Sequence, residues 1–205
     1  MTIVFLHGLG QTAASWTDTI ANLPGDWDCR CPELPGLLDG EQPTYDRLYQ
    51  GLEDYCAALP GPFVLCGLSL GGVLALDYAQ RNPERVSRLI LIAAQYHTSK
   101  ALLALQNLMF RFMPESQFQG LGFSKKDFTA LCATTGRQNL SKGLSTLPCP
   151  TLVLLGETDK PNRKAAQGLA HQIPNSQLLM IPDSGHTVNT DNPRTLAQVI
   201  TAFLT

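Results

Sequence analysis

Residues 63–79 read FVLCGLSLGGVLALDYA, and this stretch decides how the rest of the chain is interpreted. The apolar run 63–66 is typical of a buried strand, and 73–79 has the apolar spacing of a helix. Between them, residues 67–71 form G-x-S-x-G with Ser69 at the centre. A serine held on a sharp turn between a strand and a helix needs neighbours without side chains. The setting therefore predicts that Ser69 is a nucleophile.

Five further apolar runs of strand length lie on either side of this stretch. They are 3–6, 27–31, 89–93, 152–155 and 178–181. Segments with apolar residues at helical spacing, such as 45–59, lie between most of them. This alternation predicts an α/β fold, with a mostly parallel, doubly wound sheet of about six buried strands. Thr44 and Asn192-Pro193 are predicted to begin helices, and Pro83 is predicted to close one.

Residues 96–148 interrupt the alternation, because they separate the fourth strand from the fifth and much of the segment has helical spacing. We therefore assign 1–95 and 149–205 to a core and 96–148 to a small helical cap. The cap is rich in Leu, Met and Phe. This composition fits a packed helical subdomain and also a lid whose inner face lines a substrate pocket. Phe110 and Met113 are predicted to line that pocket.

The overall charge limits the class of partner. The chain has 205 residues and a formal net charge of −2, with 15 Lys and Arg against 17 Asp and Glu. The chain therefore has no excess of basic residues of the kind that binds nucleic acids or anionic membranes. A small-molecule partner is favoured. The longest apolar run, 89–94, is far shorter than the roughly 20 residues that cross a bilayer. No leader pattern precedes His7-Gly8, and we expect a cytoplasmic protein.

Six cysteines are spaced irregularly in a chain that is large enough to fold without disulfides. We expect all six to be reduced and to be buried as ordinary small apolar residues. Cys29 and Cys31 share one face of a predicted strand, but no second pair or nearby histidine would complete a zinc site. No metal and no cofactor is expected.

The predicted nucleophile requires a base, because a serine hydroxyl is a weak nucleophile until its proton is removed. His186 follows the last predicted strand and so lies at the same edge of the sheet as Ser69. Of the other histidines, His171 falls within a helical stretch, His97 begins the cap, and His7 lies in the loop after the first strand. His186 is therefore the predicted base.

The imidazole in turn needs a carboxylate that fixes its tautomer and stabilises its charged form. Asp159 follows the predicted strand 152–155 and is the predicted acid. Glu157 is the local competitor, and Asp183, close to His186, is interpreted as a turn residue. The loop after the fourth strand, residues 95–99, contains no carboxylate.

Negative charge that develops on a carbonyl oxygen must be met by preorganised donors, usually two backbone amides. Leu70 N–H follows the nucleophile at the start of a helix. Leu9 N–H belongs to the glycine-rich loop 7–10 after the first strand. We predict that these two amides form an oxyanion hole. His7 is expected to brace this loop, and direct contact with the substrate is the alternative.

In their order and setting, Ser69, Asp159 and His186 resemble the catalytic residues of the α/β-hydrolase superfamily, and the resemblance covers essentially the whole chain. It implies a compact α/β-hydrolase fold that lacks the first two of the usual eight strands, with 96–148 as the family's cap. Many members carry D-x-x-G-H-G-x-S after the fourth strand, whereas residues 33–40 read ELPGLLDG. This departure leaves the three candidate residues intact.

Three functions fit these residues. The favoured one is a serine hydrolase that cleaves small carboxylic esters through an acyl-enzyme. The second is a lyase similar to the menaquinone-pathway member of the superfamily, which uses the same triad for proton abstraction and elimination. A substrate with several carboxylates would need converging arginines, and the cap offers Arg111 and Arg137 among many apolar residues. The third is a binding domain without catalysis, and an intact triad argues against it.

Overall fold

A computed structural model describes residues 1–97, 114–115 and 122–205. The strands are β1 Thr2–Leu6, β2 Asp28–Arg30, β3 Phe63–Leu68, β4 Val86–Ile92, β5 Thr151–Gly156 and β6 Ser176–Ile181. They form one sheet in the order β2-β1-β3-β4-β5-β6, and every neighbouring pair is parallel. All six carboxyl ends therefore lie at one edge of the sheet. The predicted fold class is confirmed.

Helices cover both faces of this sheet. In the described part of the chain they are α1 Thr17–Ala21, α2 Tyr45–Ala57, α3 Leu70–Arg81, α4 Lys125–Thr135, α5 Arg163–Gln172, α6 Val188–Asp191 and α7 Pro193–Leu204. Helices α2, α3, α4 and α5 contribute to the core on one face. Helices α6 and α7 contribute to the core on the other face, where α1 also packs.

The central strand β3 connects these two cores. Its successive side chains point to opposite faces of the sheet, as in any β-strand. Leu65 enters the core that contains α2 and α3, whereas Val64 and Cys66 enter the core that contains α7. Every residue of β3 is buried. The end of this strand, which leads to Ser69, is therefore packed on both faces of the sheet.

The prediction of six buried strands is wrong for the two edge strands. Asp28 and Arg30 of β2 are exposed, and Leu179 and Met180 of β6 are 42% and 40% exposed. An edge strand has a neighbouring strand on one side only, and here the helices cover it incompletely. Apolar residues in such a strand therefore do not imply full burial.

The predicted helix ends are confirmed by specific contacts. Thr44 accepts a 3.3 Å hydrogen bond from Arg47 N–H at the start of α2. Asn192 accepts one of 3.3 Å from Thr195 N–H, and Pro193 is the first residue of α7. Pro83 follows the end of α3 and begins the short 3-10 helix Pro83–Arg85.

The segment between β4 and β5 leaves the sheet continuous, because these two strands are direct neighbours. In its described part, Ser124 and Asp127 form a capping box that begins α4. Phe128 packs into the core that contains α2 and α3, and Thr134 Oγ1 accepts a 3.0 Å hydrogen bond from Tyr45 N–H. The predicted pocket-lining residues, Phe110 and Met113, lie outside the described residues.

All six cysteines are free thiols. Four are buried, and Cys29 and Cys31, at the edge strand β2, are half-buried. Burial raises the pKa of the Cys31 thiol to about 12, and nearby Glu33 adds to this effect. A thiol with so high a pKa stays protonated near neutral pH and is a poor nucleophile.

Within the ranges that the structure describes, no helix combines the length and the hydropathy that a bilayer crossing requires. The cytoplasmic location expected from the sequence stays a prediction.

Candidate active site

Ser69 lies on the turn between β3 and α3, at the carboxyl edge of the sheet. Its backbone has φ 53° and ψ −114°, and such a conformation costs a non-glycine residue about 1–3 kcal/mol. Ser69 N–H donates a 2.9 Å hydrogen bond to Ile92 O, which ties the turn to the end of β4. A side chain on Gly67 would overlap Gly71 O, and one on Gly71 would overlap Leu6 O. The glycines of the motif are thus required by close backbone contacts.

Asp159 and His186 meet at the same edge of the sheet. His186 Nδ1 lies 2.9 Å from Asp159 Oδ2. The two loops that carry these residues are joined by Thr158, whose N–H and hydroxyl both donate to Ser184 O, at 3.0 and 2.8 Å. The Asp159 side chain is 3% exposed and the imidazole is 44% exposed. The carboxylate is thus shielded from water while the ring is accessible.

The charge of Asp159 fixes the tautomer of His186. Burial by itself would raise the pKa of Asp159, but hydrogen bonds from His186 and Asn162 outweigh burial, and the pKa lies below its usual value. An ionised carboxylate only accepts hydrogen bonds, so His186 Nδ1 must carry the proton between them. In the neutral ring, Nε2 then keeps a free lone pair. This is the form in which a histidine acts as a base.

Within the described residues, the competing acids and bases make no hydrogen bond or ion pair with Asp159 or His186. Glu157 is exposed, and within the described residues its carboxylate makes no ion pair with His186. Asp183 is exposed and has φ 51°, in agreement with its interpretation as a turn residue. His171 is exposed on α5, and His97 forms an isolated bridge with Asn139. In the described ranges no three His, Cys, Asp or Glu side chains are grouped so that they could hold a metal ion.

Asn162 belongs to this site and was not identified from the sequence. Its Nδ2 lies 2.9 Å from each carboxylate oxygen of Asp159 and 3.2 Å from His186 Nδ1. Gln95 Nε2 donates a 2.6 Å hydrogen bond to Asn162 Oδ1, which links the loops after β4 and β5. Asn162 precedes α5, but its side chain does not cap the helix. An asparagine just before a helix usually caps that helix. The sequence pattern therefore predicts a capping hydrogen bond for Asn162 and gives no sign of its contact with Asp159.

The loop after β1 lies beside the Ser69 turn, since a side chain on Gly8 would contact Ser69 Cβ at 3.5 Å. Leu70 is the first residue of α3, where an N–H has no acceptor within the helix. In the part of the chain that the structure describes, neither Leu9 N–H nor Leu70 N–H donates to a protein group. The oxyanion hole predicted at these two amides stays a prediction.

His7 holds the loop after β1 in place. The ring is 1% exposed, with Nδ1 3.0 Å from Gly8 O and Nε2 accepting a 3.1 Å hydrogen bond from Leu34 N–H. Burial lowers the pKa of His7, although Gly8 and Glu33 oppose this effect. A neutral ring that donates from Nδ1 and accepts at Nε2 satisfies both contacts. These contacts agree with the bracing role predicted for His7.

The parallel sheet, with Ser69, Asp159 and His186 at its carboxyl edge, is the arrangement of an α/β enzyme. Comparison with known proteins identifies the family. The sequence model of the alpha/beta hydrolase family matches residues 3–199. The match extends from β1 into α7. The chain therefore belongs to the alpha/beta hydrolase family, and it is an enzyme of that family.

Individual relatives agree with this assignment. The chain is 26% identical over 254 residues to monoacylglycerol lipase ABHD6 of Homo sapiens, which covers 98% of this chain and 74% of the relative. A stretch of 91 residues is 40% identical to pimeloyl-[acyl-carrier protein] methyl ester esterase of Aromatoleum aromaticum, which covers 44% of this chain and 36% of the relative.

Solved structures share the fold. A thermophilic esterase from Thermogutta terrifontis matches with a TM-score of 0.83 at 24% identity, covering 100% of this chain and 89% of its own. MenH from S. aureus matches with a TM-score of 0.80 at 22% identity, covering 100% and 93%. At such identities the similarity concerns the fold alone.

Proposed function

We propose that this enzyme is a serine hydrolase that cleaves small carboxylic esters, with Ser69 as nucleophile, His186 as base and Asp159 as the acid that orients it. The observation that carries the proposal is the 2.9 Å hydrogen bond between His186 Nδ1 and Asp159 Oδ2. This pair lies at the sheet edge where Ser69 occupies a strained turn. A serine, a base and an orienting carboxylate on one edge are the groups that acyl transfer needs.

In the proposed reaction, Ser69 Oγ attacks the ester carbonyl carbon while His186 Nε2 accepts the hydroxyl proton. The oxygen of the resulting tetrahedral intermediate is negatively charged, and it accepts hydrogen bonds from Leu9 N–H and Leu70 N–H. His186 then gives its proton to the leaving alcohol, and an acyl-enzyme remains on Ser69. Water attacks the acyl-enzyme by the same steps, and the free acid leaves. Asp159 stays ionised and stabilises the imidazolium.

The substrate class follows from two kinds of support. The relatives named monoacylglycerol lipase and methyl ester esterase are by their names enzymes of carboxylic esters. In the described part of the cap, Phe128 is buried and its ring would contact a side chain on Gly10 at 3.7 Å. An apolar ring thus lies beside the loop that carries Leu9. We propose that the cap, 96–148, lines the acyl pocket and that Phe110 and Met113 contribute to it.

The alternative, elimination on a substrate with several carboxylates, would need arginines that converge on the site. Arg137 is exposed at the end of α4, and Arg111 lies outside the described residues. No observation on the described residues favours elimination over hydrolysis, so ester hydrolysis remains the proposal.

The test is a panel of p-nitrophenyl esters of rising acyl length, assayed with the wild type, Ser69→Ala and the control Ser145→Ala. Ser145 is exposed and distant in sequence from the motif, so its variant should hydrolyse esters like the wild type. Ser69→Ala should stay folded and lose about three or more orders of magnitude in kcat. Full turnover by folded Ser69→Ala would contradict the proposal.

A further inference from the structure

The loop that carries Leu9 is a tight turn whose shape determines where the Leu9 amide points. Gln11 N–H donates a 3.1 Å hydrogen bond to Gly8 O, which closes a β-turn over residues 8–11. Gly10, the third residue of this turn, has φ 88°, a value that glycine adopts without strain. Leu9 is the second residue, so the direction of its N–H is set by this turn.

The side chain of Gln11 closes the turn a second time. Its Oε1 accepts a 3.2 Å hydrogen bond from Gly8 N–H. The same amide group is paired with the amide of Asn189: Gln11 Nε2 donates to Asn189 Oδ1 at 3.0 Å, and Asn189 Nδ2 donates to Gln11 Oε1 at 3.3 Å. The two residues are 178 positions apart in the sequence. Their contact therefore joins the beginning of the chain to its end.

Asn189 is fully buried, at 0% exposure, and its side chain is held in one orientation. Nδ2 also donates to Ser15 O at 3.2 Å and to Ser15 Oγ at 3.0 Å. Asn189 O accepts a 3.3 Å hydrogen bond from Thr19 Oγ1. The buried amide is thus satisfied on every side, which makes it a rigid anchor.

Asn189 lies on α6, directly after the loop that carries His186. Asp191, on the same short helix, accepts from Gly185 N–H at 2.8 Å and from Thr187 Oγ1 at 3.0 Å. Its carboxylate therefore contacts the residues on both sides of His186 in the sequence. The amide pair and the Asp191 contacts therefore connect the loop that carries Leu9 to the loop that carries His186.

We infer that Gln11 and Asn189 are positioning residues that fix the oxyanion donor Leu9 N–H relative to the base His186. The inference rests on the proposed function, because it assumes that Leu9 and His186 act on one substrate. An oxyanion donor contributes most when it is already aimed at the place where charge develops in the transition state. Loosening the turn should therefore weaken binding of the transition state more than binding of the substrate.

The experiment compares Gln11→Leu with the matched control Ser15→Ala. Gln11→Leu removes the amide pair and the second closure of the turn. Ser15→Ala removes the Ser15 Oγ contact with Asn189 and the 2.7 Å hydrogen bond from Ser15 Oγ to Thr12 O, and it leaves the turn over residues 8–11 unchanged. Both variants are assayed for kcat and KM on a p-nitrophenyl ester, for inhibition by phenylboronic acid, and for melting temperature. The boronic acid adds to the serine as a tetrahedral anion and so reports on the oxyanion hole.

Gln11→Leu should lower kcat by about 10- to 100-fold, since loss of a whole oxyanion donor costs about 100- to 1,000-fold. Its KM should stay within about threefold of the wild type, and inhibition by phenylboronic acid should weaken by a factor similar to that in kcat. Ser15→Ala should lower the melting temperature while kcat stays within about twofold.

A folded Gln11→Leu with the kcat and the boronic acid affinity of the wild type would overturn the inference, as would an equal loss in Ser15→Ala. If Gln11→Leu does not fold, the same measurements are made on Gln11→Ala, whose side chain is smaller than that of leucine. Failure of the proposed function is recognised separately, because wild-type protein would then neither hydrolyse esters nor bind the boronic acid.

Discussion

Replacing Asn162 by alanine tests whether its amide stabilises the ionised form of Asp159. The substitution removes both 2.9 Å contacts with the carboxylate and the contact with His186 Nδ1. A hydrogen bond to a charged group contributes about 1.5–3 kcal/mol, and one NH₂ group makes both contacts. The free energy of unfolding should therefore fall by about 1.5–3 kcal/mol at neutral pH, and Tm by about 3–12 °C in a chain of this size.

The loss should depend on pH in a definite direction. The pKa of Asp159 is lowered in the folded protein, so its contribution to stability is present above the unfolded-state pKa of about 3.9 and is lost as pH falls through the folded-state pKa. The Asn162 hydrogen bonds contribute to that lowering. The difference in stability between the wild type and Asn162→Ala should therefore be largest near neutral pH and shrink in acid.

The assay is urea unfolding of the wild type, Asn162→Ala and the control Asn175→Ala at about pH 7 and about pH 3. Asn175 is exposed just before β6, so its variant should differ little from the wild type at either pH. A loss for Asn162→Ala that is equally large at both pH values would show that the amide contributes through packing and not through the ionised carboxylate.

Three further predictions concern the acid, the cap and the turn. Asp159→Asn should lower kcat by orders of magnitude while Glu157→Gln leaves it near the wild type; the reverse order in steady-state assays would mean that the wrong carboxylate was assigned. If the cap lines the acyl pocket, kcat/KM should rise about fourfold per added methylene, from about 0.8 kcal/mol each, until the pocket is full. Phe110→Ala and Met113→Ala should then move the optimum of a p-nitrophenyl ester series, and an unmoved optimum in both folded variants would remove them from the pocket. Gly71→Ala should destabilise the protein by several kcal/mol, since the new methyl group would overlap Leu6 O. A free energy of unfolding in urea equal to that of the wild type would contradict this.

The fold was predictable from the sequence because its signals are local. The run 63–66, the glycines around Ser69 and the alternation of strands and helices each need only neighbouring residues to be recognised. The alternation implies parallel strands, which places the carboxyl ends of β3, β5 and β6 at one edge and so indicates which His and Asp belong near Ser69. Burial of the edge strands was mispredicted, because an apolar run does not show whether its strand has one neighbour or two.

The supporting contacts of the site could not be predicted, because they join residues without a shared local pattern. Gln95 and Asn162 are 67 positions apart, and Gln11 and Asn189 are 178 positions apart. None of these four residues belongs to a sequence motif that indicates its partner. Only the packing of the loops at the carboxyl edge brings their amide groups within hydrogen-bond distance.

Covalent labelling tests whether Ser69 is a nucleophile that His186 and Asp159 activate. Wild-type protein is treated with a fluorophosphonate, and the modified residue is identified by mass spectrometry of its peptides. We expect one phosphonyl group on the hydroxyl of Ser69, none on Ser69→Ala, and much slower labelling of His186→Ala. A label on another residue, or equally fast labelling of the histidine variant, would contradict this assignment.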